Sequence, residues 1–159
     1  MSVKTRRKFF GSLAGAALLY PLVASCKGKL FMSNEIVLSV VLFNYVNRPI
    51  FEVLLNGSDI GGAMAYGGGG GIMTGETIPF GAQTLSWRLS GPEGTPRNGD
   101  TVMAKNALAI GKNQVPPNSR YLGVHIYPDD TAEFTFSQYI PEVSPRGETI
   151  LAEVRKRGR

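Results

Sequence analysis

The stretch Gln83-Thr84-Leu85-Ser86-Trp87-Arg88-Leu89 decides the fold class. Leu85, Trp87 and Leu89 fall on one side of an extended chain, and Thr84, Ser86 and Arg88 on the other. Successive side chains of a strand point to opposite faces, so this period of two marks a half-buried strand. Pro79-Phe80-Gly81 makes a turn before it, and a segment rich in Gly, Pro, Asn and Asp follows over 90–100. Toward the N-terminus, 35–45 is rich in Val, Ile, Leu and Phe, Asn47-Arg48-Pro49 is a turn, and 50–55 is a second strand closed by Asn56-Gly57. Asn-Gly is a strong hairpin signal, because both residues tolerate the positive φ that a tight turn needs. Strands are expected over 60–66 and 72–78, and a strand or short helix over 101–110. Pro116-Pro117 lies in an extended linker, and strands at 121–127 and 131–139 flank the turn Pro128-Asp129-Asp130. A short helix is expected over 150–157. No amphipathic helix of three turns separates the strands, which argues against a βαβ architecture. The expectation is an all-β fold, an antiparallel β-sandwich of seven or eight short strands.

The N-terminus is built differently. Lys4, Arg6, Arg7 and Lys8 precede an apolar run over 11–23, followed by Ala24-Ser25-Cys26. That run is too short for a bilayer span, which takes about 20 apolar residues, and fits a signal-peptide core. Cleavage between Ser25 and Cys26, with acylation of Cys26, is expected, as in a bacterial lipoprotein; the alternative is an ordinary signal peptide or an uncleaved anchor that ends near a cysteine. Acyl chains such as palmitate then hold the protein on a membrane, since each buried CH₂ contributes about 0.8 kcal/mol. Arg6, Arg7 and Phe9 resemble the twin-arginine export signal, under which the domain folds before export; a general secretory signal also carries adjacent arginines. Lys27 after Cys26 favours the outer over the inner membrane. The organisation expected is a signal peptide over 1–25, a lipidated tether over 26–34, a β-domain over 35–143 and a basic tail over 144–159.

The 159 residues carry 17 basic and 12 acidic side chains. Eight of the basic ones lie at the two ends, four before residue 9 and four among 155–159, and the stretch between is net acidic. The high pI of 9.5 therefore belongs to the ends. It does not describe a fold with a basic face, and nucleic acid is not an expected partner. Cys26 is the single cysteine. Once it is acylated, no thiol remains for a disulfide, a metal or a nucleophile.

Few residues suggest chemistry. Gly67, Gly68, Gly69, Gly70 and Gly71 form an unbroken run. A phosphate loop would follow such glycines with Lys and Ser/Thr at a helix start, whereas Ile72-Met73-Thr74 follow here. The run reads as a mobile loop, as a strand approached closely by another backbone, or as a loop that closes on a partner. His125 is the only histidine, so an ordinary zinc site is not available, and no Gly-x-Ser-x-Gly elbow accompanies it. Asp129, Asp130 and Glu133 lack the spacing of a calcium loop. Trp87 belongs to a core face. No catalytic residue, metal or cofactor is expected. Tyr66, the run Gly67 to Gly71, and Asp129 and Asp130 are the candidate partner-binding residues, Tyr being enriched at interfaces.

In order along the chain stand Asn44-Tyr45, Ile50, Asn56-Gly57, Gly61-Gly62, the glycine run, Gly81, Trp87, Tyr121 and Val124-His125-Ile126-Tyr127-Pro128-Asp129. Over residues 36–140 this order resembles a family of small glycine-rich proteobacterial lipoproteins (domain of unknown function 3304), many of them encoded beside type VI secretion phospholipase effectors. Many members carry a Cys-Cys pair shortly after the glycine run, where this chain has Ile72-Met73. The resemblance implies a membrane-anchored, non-catalytic periplasmic binding protein, an immunity protein that neutralises a secreted lipase. The alternative is a structural or carbohydrate-binding module of the envelope, with peptidoglycan as its ligand.

Overall fold

The computed structural model describes residues 34–158, so Arg6, Arg7, Phe9, Ser25 and Cys26 lie outside the described residues. Among the described residues the fold is all-β apart from one helix at the C-terminal end and a single 3₁₀ turn, and the strands form a sandwich. The strands are β1 (Glu35–Asn44), β2 (Ile50–Leu55), β3 (Ser58–Asp59), β4 (Gly67–Pro79), β5 (Gly81–Gln83), β6 (Leu85–Leu89), β7 (Thr101–Met103), β8 (Leu108–Ile110), β9 (Tyr121–Ile126) and β10 (Ala132–Ser137), followed by helix α1 (Pro145–Arg157). One sheet has the order β10-β9-β1-β4 and the other β3-β2-β6-β7, with β5 and β8 paired separately.

Leu38, Val40 and Leu42 of β1 and Leu122, Val124 and Ile126 of β9 meet Ile50, Val53, Leu85, Trp87 and Leu89 of the second sheet in one buried core. The alternate residues Val41, Phe43 and Tyr45 join Tyr127 in a second cluster on the outer face of the first sheet, against Ile150 and Leu151 of α1. Because β1 is buried on both faces over its second half, its apolar residues run continuously instead of alternating.

Several expectations need correction. β1 pairs β9 in parallel, from Ser39↔Tyr121 to Asn44↔Ile126, so the first sheet is mixed and not purely antiparallel. Of the readings of the glycine run, the closely approached strand holds and the loop does not: it is the first part of β4, paired with β1 at Phe43↔Gly68 and Asn44↔Gly67. A Cβ on Gly68 would overlap the Phe43 ring, so close packing demands glycine there. Between Gly68 and Ile72 the ladder carries a bulge, which glycine accommodates easily. Residues 60–66 form no strand, holding to the second sheet by the isolated bridge Ile50↔Ala63 and by bonds between Val53 and residues 60 and 61, and 101–110 splits into β7 and β8. The stretch 83–89 divides at Thr84, with β5 pairing β8 while β6 pairs β2 and β7. Asn56 and Gly57 both have positive φ, 53° and 86°, as the tight turn between β2 and β3 requires.

The short helix expected over 150–157 is present and starts five residues earlier, as α1. Ser144 caps it by accepting from the Gly147 N–H, Pro145 opens it, Glu148 lies in its first turn, and Arg155, Lys156 and Arg157 lie in its last. Both charge placements complement the helix dipole. Gly147 is buried directly on the Tyr45 ring, which a Cβ would overlap. Gly147→Val is therefore expected to undock α1 at a cost of roughly 1–3 kcal/mol. Amide exchange would show it as lost protection of α1 with the two sheets still protected; unchanged protection of α1 would refute the packing argument.

Candidate functional site

The candidate partner-binding residues gather at the end of the sandwich where β1 and β9 finish and β4 begins. Asn44, the last residue of β1, is fully buried. Its Nδ2 donates to Arg48 O (2.8 Å) and Met64 O (2.9 Å), and its Oδ1 accepts from Val46 N (2.9 Å). One side chain thus fixes both the 46–48 turn and the approach to Tyr66. Tyr66 sits on left-handed backbone at φ 53°, a conformation that a bulky residue adopts only when its surroundings impose it.

Tyr66 lines a cleft of about 380 Å³ with Val46, Asn47, Pro128, Ile150 and Arg157. Pro128 and Asp130 line a second cleft of about 500 Å³ with Arg48, Pro49, Pro96 and Arg97. Gly67, Gly68 and Gly71 line an uncharged groove of about 490 Å³, whose apolar walls include Ile60, Met64, Ile72 and Met73. The structure therefore brings Tyr66 close to Pro128, beside the Asp129-Asp130 turn, and leaves the glycines on the neighbouring groove.

The two aspartates are held individually. Asp129 accepts from the Thr131 hydroxyl (2.7 Å) and from Arg146 Nη2 (2.8 Å). These bonds, Thr131 first, hold its carboxyl below the usual range. Asp130 pairs with Lys105 at 2.9 Å. Glu133 accepts from the Tyr127 hydroxyl at 2.6 Å. Each carboxylate is committed to a protein partner, and among the described residues no three His, Cys, Asp or Glu side chains group as metal ligands do.

Beneath this end lies a buried polar network that residue spacing does not announce. His125 is fully buried, stacked on Phe43 at 4.6 Å. Tyr45 Oη lies 2.9 Å from His125 Nδ1 and accepts the Ser144 N–H at 3.2 Å. His125 Nε2 lies 2.9 Å from Thr135 Oγ1, so both ring nitrogens have a hydroxyl partner able to donate or accept. Burial pushes the His125 pKa down to about 4, and the facing Glu133 opposes that shift. Burial likewise raises the phenols of Tyr45 and Tyr127, and for Tyr127 the bond to Glu133 adds to it. Tyr127 Oη bonds Ser144 Oγ at 2.7 Å, and the Arg146 guanidinium lies 3.9 Å above the Tyr127 ring. The network joins β1, β9, β10 and the N-cap of α1. With both ring nitrogens engaged and no solvent contact, His125 holds the frame together and does not face a substrate.

Trp87, the side chain that a sugar-stacking platform would use first, is fully buried. No helix among the described residues is long and apolar enough to cross a membrane. No family model, no curated protein and no solved structure matches the chain.

Proposed function

We propose that this protein is a lipid-anchored, non-catalytic binding protein on the periplasmic face of a bacterial envelope, and that it acts as an immunity protein against a secreted lipase. The observation that carries this reading is the Tyr66 end of the sandwich. Tyr66, on constrained backbone, and the Asp129-Asp130 turn stand beside two clefts, above a buried network that fixes the strands carrying them. A rigid surface with aromatic and charged side chains suits stoichiometric capture of another protein, since little order has to be gained on binding. The N-terminal segment supplies the anchor, and the family resemblance supplies the class of target.

The test is co-expression of the full chain with a lipase encoded beside it, with the lipase directed to the periplasm. Protection of the cells and co-purification of the pair are expected. Tyr66→Asn keeps a residue that tolerates left-handed backbone and removes the ring. It is expected to weaken binding by about 2 kcal/mol, roughly thirtyfold, as loss of a central aromatic anchor does. A chain that neither binds the lipase nor protects the cells ends the immunity reading.

A further inference from the structure

The first sheet has two dissimilar ends. At the Tyr66 end stand the charged turn and the basic last turn of α1, where Arg157 lines the cleft with Asn47 and Pro128. At the other end β1 begins and β10 finishes. The ladders set Ser39 beside Tyr121 and Tyr121 beside Ser137, which places Val37, Ser119 and the segment after Ser137 at one level. Val37, Ser119 and Arg120 line one shallow depression there.

This second end exposes large apolar side chains: Tyr139 is 76% exposed, Val37 60% and Ile140 55%. It is also the end at which the described chain starts, with Asn34 directly before β1. The tether ends at Asn34, two residues before Ile36, and its eight residues 27–34 reach at most about 28 Å when fully extended. The described charges at this end are mixed, with Glu35 at the start of β1, Glu76 across from Leu38 in β4, and Arg120 on the depression. Three side chains cannot supply the roughly 800 Å² per partner of a stable protein interface. Tyr beside aliphatic residues does suit the bilayer–water interface, where the ring is buried and the hydroxyl stays wet.

We infer that the Val37–Tyr139–Ile140 end rests on the lipid interface into which the Cys26 acyl chains insert, so that the Tyr66 end is turned away from the membrane. The inference rests on the lipid-anchor reading above and adds an orientation to it. β1 has ten residues and spans roughly 33 Å at about 3.3 Å each, which sets how far the Tyr66 end stands off the surface. It also assigns the basic end of α1 away from anionic headgroups, contrary to what its charge alone suggests.

The experiment uses the full chain isolated from membranes of expressing cells and reconstituted into phosphatidylcholine vesicles with brominated acyl chains. Tyr139→Trp and Ile140→Trp are compared with Lys156→Trp at the far end, against the constant signal of buried Trp87. Thermal melting checks that each variant is folded, and the two near-end variants back each other up. Loss of emission at 139 or 140, no loss at 156, and no change on adding anionic lipid support the orientation. Vesicle-bound protein in which neither near-end probe is quenched overturns it. Quenching at 156 on anionic vesicles also overturns it, because the basic helix end would then be the contact. Failure to float with vesicles at all removes the anchor reading, and this inference with it. A dimer in detergent that Tyr139→Ser dissolves would assign the patch to a protein contact and likewise overturn the proposal.

Discussion

Lowering the pH from 7 to 4 is expected to remove about 3 kcal/mol of folding stability through His125 alone. In the unfolded chain this imidazole takes up a proton near pH 6.5, and in the folded chain only near pH 4, because burial opposes the charge. Between those values the unfolded state binds more protons. Stability is therefore complete above about pH 6.5, falls with the pH through this window, and stops falling on this account below about pH 4. The facing groups are Tyr45 and Tyr127, just past the ends of β1 and β9, Glu133 on β10 and Arg146 on α1. Glu133 lies directly across from His125 in the ladder, and its charge moderates the loss without cancelling it. Urea unfolding at pH 7, 5.5 and 4.5 measures the slope. His125→Gln should be less stable at pH 7 yet flat across the same window. A wild-type midpoint that does not move between pH 7 and 4.5 would sink the argument.

Trp87→Ala is expected to cost about 3–5 kcal/mol, the usual range for deleting a fully buried large aromatic side chain. Trp87 sits at the centre of β6, pairs with Val102 of β7, and packs into the core shared by both sheets. Its Nε1 is buried with no hydrogen-bond partner among the described residues. Trp87→Phe removes that atom together with part of the ring, so relief of the unpaired N–H offsets some of the lost packing. The alanine and phenylalanine variants should therefore differ by several kcal/mol in denaturant unfolding. Similar losses in both would mean that the indole nitrogen is satisfied and the packing argument is incomplete.

What the sequence makes legible is local. The alternation around Trp87 and the Asn56-Gly57 turn are written in adjacent residues, because strand period and left-handed turn geometry act over two to seven positions. The glycine run is ambiguous by the same measure. Glycine is a poor strand former on its own, and only the Phe43 ring lying against Gly68 explains a strand there. The first turn of α1 hides behind Pro145 and Gly147, which lower helix propensity in general yet suit the first position and the contact with Tyr45. The candidate site is half legible. A tyrosine beside glycines and an Asp-Asp turn suggest a surface, but nothing in their spacing puts Tyr66 near Pro128. Asn44 and the His125 network escape for a related reason. A buried polar side chain looks like a surface one until the groups that satisfy it, which lie up to 99 residues away, are in place.

The parallel pairing of β1 with β9 carries a consequence for how the protein is made. Ser39 and Tyr121 are neighbours in the sheet but 82 positions apart in the chain. Contacts of that separation raise the contact order and slow folding, since a long loop must close before the pair is formed. A nascent chain released only as far as β8 has its β1 flanked by β4 alone, with the other edge open to any extended segment it meets. Completion of the first sheet therefore waits until nearly the whole domain has left the ribosome. A premature stop ahead of Tyr121 should leave an aggregation-prone fragment and not a smaller working domain.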